Sequence, residues 1–158
     1  MHFIFDLDDT VINSSHRQRF INGELDLPYW KENNTPEKVL LDTLLPLANV
    51  WRKAESVGHE IVICTSRVFT NADYKLLKSF NLEYDHLISR PENDDTSCGY
   101  LKLRQLAEWQ GDLFFSWDDF TNNSIMFDDS LDVQKVLRAN GVRVICPNYY
   151  NSRKKLAA

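Results

Sequence analysis

The chain has no long apolar run. Nothing in its 158 residues approaches the ~20 consecutive apolar positions needed to span a bilayer, so no membrane segment is expected. Cysteine is sparse. Cys64, Cys98 and Cys146 are odd in number and widely spaced, with no CxxC or finger pattern, which argues against a disulfide scaffold and a zinc finger. Cys64 and Cys146 sit in apolar runs and read as small core residues. Basic charge is short as well: the net charge is −5, so no general basic field exists to grip a long stretch of nucleic acid. No leader precedes the first apolar run, Phe3-Ile4-Phe5, so no signal peptide is expected. Reduced thiols suit a cytosolic setting, and the expected location is cytoplasmic. Repeats and low-complexity tracts are absent.

What is present is globular. Hydrophobic content is 43% and aromatic content 12%, enough for one core, and the expectation is a single domain over residues 1–158. Short apolar runs without alternation occur at 3–5, 61–64, 125–127 and 142–146. Strands of that kind are buried on both faces, as in a parallel sheet. Between them lie helical spacings over 37–57, 72–80, 100–109 and 130–140, with Gly58 and Gly141 as stops. Alternating strand and helix predicts a doubly wound, mainly parallel α/β domain. Residues 12–36 show little periodicity and read as a loop or flap insertion. In 111–123, Leu113-Phe114-Phe115 could be an added strand.

Four fragments carry chemistry: Asp6-Leu7-Asp8-Asp9-Thr10, Thr65-Ser66, Lys102 and Asp128-Asp129. Taken singly each has a bland explanation as a turn, a strand end, a solvated helix face or a helix cap. Three of them stand just past the apolar part of an expected strand, the edge where α/β sheets bind ligands. Acid pair, hydroxyl, lysine and acid pair together form a set for handling a phosphate with a hard divalent metal. Asp6, Asp8, Asp128 and Asp129 are the candidate magnesium ligands. Asp6 is placed to be a nucleophile forming an aspartyl-phosphate. Asp8 can act as acid and then base. Thr65 can donate to a phosphoryl oxygen, and Lys102 can balance the charge.

Phe3 through Val11 resembles the first motif of the haloacid dehalogenase (HAD) superfamily of phosphatases. Thr65 is similar to its second motif, Lys102 to its third and Met126-Phe127-Asp128-Asp129 to its fourth. The resemblance implies a Rossmann-like core without a large cap domain, and magnesium-dependent phosphomonoester hydrolysis. It implies Asp6 as nucleophile, Asp8 as acid/base, Thr65 and Lys102 as phosphate ligands and Asp129 as the main metal carboxylate, with Asp128 supporting or sharing that role. Asp9 stands where that first motif usually has glycine. Within the superfamily, Asn13-Ser14-Ser15-His16-Arg17, Ser89-Arg90-Pro91-Glu92-Asn93-Asp94 and Asn140-Gly141-Val142 look like the 3′-phosphatase domain of phage-type polynucleotide kinases and small relatives. Those relatives often carry arginine and aspartate where this chain has Thr96 and Cys98. The implied substrate is a nucleotide or a nucleic-acid 3′ end.

Ser66, Arg67, Arg90 and Arg17 are further candidate substrate contacts. Tyr29 and Trp30 could stack on a base or close over the core. His2, His59 and His86 flank strands and read as non-catalytic, and Arg153-Lys154-Lys155 reads as a solvated tail. Two other functions fit the same residues: a non-catalytic nucleotide- or phosphopeptide-binding protein on this fold, and a receiver-like phospho-acceptor. Receiver domains place their lysine after every acid, whereas Lys102 precedes Asp128.

Overall fold

A computed structural model describes residues 1–113 and 116–153. In chain order its elements are β1 (His2–Phe5), β2 (Ile12–Asn13), a 3-10 turn (Ser15–Arg17), β3 (Phe20–Ile21), β4 (Glu24–Leu25), α1 (Leu27–Asn33) and α2 (Pro36–Val39). Next come β5 (Thr43–Leu44), α3 (Ala48–Ser56), β6 (Glu60–Thr65), α4 (Asn71–Ser79) and β7 (His86–Ser89). The last are α5 (Cys98–Asp112), α6 (Trp117–Asn122), β8 (Ser124–Phe127), α7 (Leu131–Ala139), β9 (Val144–Ile145) and α8 (Asn148–Arg153).

Five strands form one parallel sheet in the order β7-β6-β1-β8-β9. β1 is central, with Phe5 opposite Ile63 on one side and Phe127 on the other. The uninterrupted apolar runs are explained by burial on both faces. Along β1, Phe5 joins Ile63, Phe127, Trp51 and Leu76 on one side of the sheet. Ile4 joins Val62, Met126, Leu106, Phe120 and Leu137 on the other. α3 and α4 therefore cover one face, and α5, α6 and α7 the other. Trp51 fills the first layer: its ring stacks on Phe5 with centroids 4.9 Å apart, and its indole N–H donates to the Glu83 carbonyl at 2.9 Å.

Two expectations are corrected. The helical spacing over 37–57 is broken into α2, β5 and α3, because Pro46 cannot donate a helical hydrogen bond and disfavours helical backbone at Leu45. The freed Thr43–Leu44 pairs antiparallel with Ile12–Asn13 instead. Residues 12–36 are not a bare loop: they hold β2, the 3-10 turn, the β3–β4 hairpin and α1. The hairpin turn is Asn22-Gly23, with φ of +52° and +84°, the positive pair that matches strand twist in a two-residue turn. In 111–123, α5 ends at Asp112 and α6 covers Trp117–Asn122, capped by Ser116, whose hydroxyl accepts from the Asp119 N–H at 3.1 Å. The proposed strand at 113–115 rests on Phe114 and Phe115, which lie outside the described residues. Only one helix and one strand separate Thr65 from the helix bearing Lys102, so no large cap is inserted there. No helix among the described residues is long and apolar enough to cross a membrane.

Candidate active site

β1, β6 and β8 run in parallel and deliver Asp6, Thr65 and Asp128-Asp129 to one edge of the sheet. Past β1 the chain turns sharply: the N–H groups of Thr10, Val11 and Ile12 all donate to the Leu7 carbonyl, at 3.2, 2.9 and 2.9 Å. Asp9 closes that turn in the left-handed region, at φ +55°. This is why glycine suits the position and why aspartate, which tolerates that backbone, can stand there.

Lys102 is the electrostatic centre. Its side chain is fully buried, and its ammonium donates to Asp6 Oδ1 at 2.7 Å and Asp128 Oδ2 at 2.6 Å. Burial alone would lower its proton affinity; Asp128 and Asp6 outweigh burial and hold it charged. Asp6 is pushed well above the usual carboxylate range, first by burial and against the pull of Lys102. Asp129 is pushed up to about 6, first by burial and then by Asp128. Thr10 is buried between the acids, its hydroxyl 3.5 Å from Asp6 Oδ2 and 3.4 Å from Asp129 Oδ1. The Asp129 N–H donates back to the Thr10 hydroxyl at 3.3 Å.

Asp6, Asp128 and Asp129 each offer a carboxylate oxygen within 4.8 Å of the others. Three oxygens at that spacing, with one ammonium among three acids, suit a small hard cation that prefers oxygen ligands. The residues present therefore fit magnesium. The Asp8 carboxylate stands outside this trio, because two guanidiniums draw it aside. Asp8 Oδ1 accepts from Arg67 at 3.2 Å and from Arg17 at 3.4 Å. Both contacts fall on Oδ1.

The two arginines are themselves anchored. Arg17 is fully buried and makes a bidentate pair with buried Asp42, at 2.9 and 2.7 Å. It also donates to Asn34 Oδ1 at 2.8 Å and lies 4.4 Å from the Trp30 ring centroid. Arg67 pairs with Asp73 at 2.6 Å, and Asp73 also caps α4 by accepting from the Thr70 N–H at 2.7 Å. Thr65 is buried at the end of β6, its Oγ1 accepting from the Arg67 N–H at 3.4 Å. Ser66 Oγ is buried next to it with no hydrogen-bond partner.

Two of the expected substrate contacts are engaged by the protein itself. The Arg90 guanidinium is engaged by the carbonyls of Ser66, Asp94 and Thr96, so it braces the loop before α5. Arg17 has no exposed surface and holds Asp8 rather than facing solvent. Tyr29 and Trp30 lie under Arg19 and Arg17. His16 reaches Asp42 at 2.7 Å, and His59 stacks on Phe3 with centroids 4.9 Å apart. Arg153 lies over Tyr149, while Lys154 and Lys155 fall outside the described residues. Asp42, Asn34 and Asn151 are site supports that carry no local signal in the sequence, and Asp73 shows only as the fourth residue of the Thr70–Asp73 capping box. Asn151 donates to the Thr10 carbonyl at 3.0 Å and accepts from the Leu47 N–H at 2.9 Å.

The fold is shared with solved structures. A chain of the Pnkp1/Rnl/Hen1 complex aligns with a TM-score of 0.66 at 21% identity, covering 90% of this chain and 43% of that one. A haloacid dehalogenase-like hydrolase from Streptococcus pneumoniae also aligns at 0.66, with 12% identity and coverage of 90% and 82%. In sequence, a 5′-deoxynucleotidase of Escherichia phage T5 is 36% identical over 84 residues, which are 50% of this chain and 34% of that protein. The match thus spans about a third of the curated relative's length. The family described as Bacteriophage T5 5′-deoxynucleotidase matches residues 1–96, which contain Asp6, Asp8 and Thr65 but stop short of Lys102 and Asp128. With more than half its length inside that match, the chain belongs to the bacteriophage T5 5′-deoxynucleotidase family.

Proposed function

We propose that this chain is a magnesium-dependent phosphomonoesterase acting on nucleotides through an aspartyl-phosphate on Asp6. The observation that carries the reading is the buried Lys102 ammonium bridging Asp6 and Asp128, with Asp129 in the same carboxylate trio at the sheet edge. A metal held by Asp6, Asp128 and Asp129 would supply positive charge to the phosphoryl group and relieve repulsion from the acids. Lys102 holds Asp6 Oδ1 in one orientation, and Asp6 attacks phosphorus as the ester P–O bond breaks. The departing alkoxide takes a proton from Asp8, whose Oδ2 is clear of both guanidiniums. Asp8 then removes a proton from water, the water oxygen bonds to phosphorus, and the bond to Asp6 breaks to release phosphate. Thr65 and Ser66 offer hydroxyls at the end of β6 for the phosphoryl oxygens.

The relative's printed activity supports a nucleoside 5′-monophosphate as substrate. The 3′ end implied by the resemblance to kinase-linked phosphatases has no support in the family match, and it ranks second. Phosphate release should be measured with p-nitrophenyl phosphate, deoxynucleoside 5′- and 3′-monophosphates, a 3′-phosphorylated oligonucleotide and sugar phosphates, with magnesium and with chelator. Magnesium-dependent release that is fastest from a 5′-monophosphate supports the proposal. A folded protein that binds nucleotides and releases no phosphate would establish the binding-protein alternative instead.

A further inference from the structure

We infer that Gly99 and Asp132 are positioning residues: their contact between α5 and α7 sets where the Lys102 ammonium stands. The inference rests on the phosphatase reading, since it concerns that site. Ser97 precedes α5 but makes no side-chain cap. The cap comes from another helix: the Gly99 N–H donates to Asp132 Oδ2 at 2.8 Å. The two backbones meet at this point. A Cβ on Gly99 would lie 2.8 Å from Val136 Cγ2, 3.0 Å from the Asp132 carbonyl and 3.0 Å from Asp132 Oδ2. Glycine in a helix costs about 1 kcal/mol relative to alanine, and no positive φ calls for it here; what it supplies is the close approach.

The approach matters because the two helices carry opposite halves of the site. Lys102 is one turn along α5 from Gly99. Asp128 and Asp129 are fastened to α7, since the Gln134 side-chain amide donates to both of their carbonyls, at 3.0 and 3.2 Å. Ordinary contact for the missing methyl begins at 3.4 Å. Making room for it moves α5 by several tenths of an ångström or more. The Lys102 bonds of 2.7 and 2.6 Å to Asp6 and Asp128 have little slack for that. A misplacement of about 1 Å in a catalytic group can cost ~10²-fold in rate.

The test compares wild type with Gly99→Ala, Asp132→Ala and Asp132→Asn, all checked for cooperative melting. One readout is kcat and KM for p-nitrophenyl phosphate with magnesium. The other is acetylation of Lys102 by acetic anhydride, quantified by mass spectrometry. Gly99→Ala should lower kcat by roughly 10-fold or more with a smaller change in KM, and Lys102 should acetylate faster. Asp132→Ala should move both readouts in the same direction, while Asp132→Asn, whose amide oxygen still accepts the Gly99 N–H, should restore them. Wild-type kcat and acetylation in a folded Gly99→Ala protein overturn the inference. Equal losses in Asp132→Asn and Asp132→Ala overturn it for Asp132. If Gly99→Ala does not fold, the Asp132 pair decides. If wild type releases no phosphate, the phosphatase reading has failed, and Lys102 acetylation alone decides the positioning claim.

Discussion

Asp128 and Asp129 are chain neighbours with different surroundings. Asp128 is wholly buried and neutralised by Lys102; Asp129 is half-buried and reaches Thr10. Asp128→Ala leaves the buried Lys102 ammonium with Asp6 as its remaining carboxylate partner and should cost about 1.5–3 kcal/mol of stability. Asp129→Ala should fold well and show the larger rise in the magnesium concentration needed for half-maximal activity. Paired magnesium titrations and melting curves read both effects; a larger magnesium shift in Asp128→Ala would reverse the assignment. Asp6→Asn should keep the fold and lose on the order of 10³-fold or more in turnover, because an amide is no nucleophile. Asp129 also gives a pH signature to the metal-free protein. Its folded value of about 6 lies above the unfolded ~3.9, so its contribution to stability is full below the unfolded value and disappears as pH rises through about 6. In chelator, the melting temperature of wild type relative to Asp129→Asn should therefore fall between pH 5 and pH 7. Magnesium should restore more at pH 7 than at pH 5. A difference that is flat across that window rules the effect out.

At the scale of elements, four of the five strands of the central sheet and three of the helices were legible because their signals are local, whereas β7 (His86–Ser89) has no unbroken apolar run. Unbroken apolar runs end in Asp6, Thr65 and Asp128, and the positions 72–80, 100–109 and 130–140 recur at helical spacing. The split of 37–57 was marked by Pro46, yet its apolar spacing fits a helix as well as it fits α2, β5 and α3. The anchors of Asp8 were not legible, since Arg17 with Asp42 and Arg67 with Asp73 are contacts made by the fold and not by a motif. The same holds for α8, whose Asn151 ties the turn after β1 to the start of α3. Asn151→Ala leaves the Leu47 N–H and the Thr10 carbonyl without that partner and should cost about 1–3 kcal/mol. Because Thr10 sits between Asp6 and Asp129, the loss should also lower kcat. A melting temperature and kcat equal to wild type would show α8 to be a passive end.

For the whole molecule, a net charge of −5 limits how the protein meets nucleic acid. If an oligonucleotide end is turned over, the rate at low substrate should depend only shallowly on salt, because few phosphates are neutralised by the protein. A steep slope of the kind seen with 6–10 phosphate contacts would instead point to a local basic track along the bound strand. The central position of β1 has a different consequence, which concerns the order of synthesis. The proposed nucleophile leaves the ribosome 96 residues ahead of its ammonium partner. Thr10 waits 119 residues for Asp129 and 141 for Asn151. A chain synthesised only as far as Asp6 and Thr10 thus carries an aspartate without its ammonium, and the proposed site is complete only once α8 has been made.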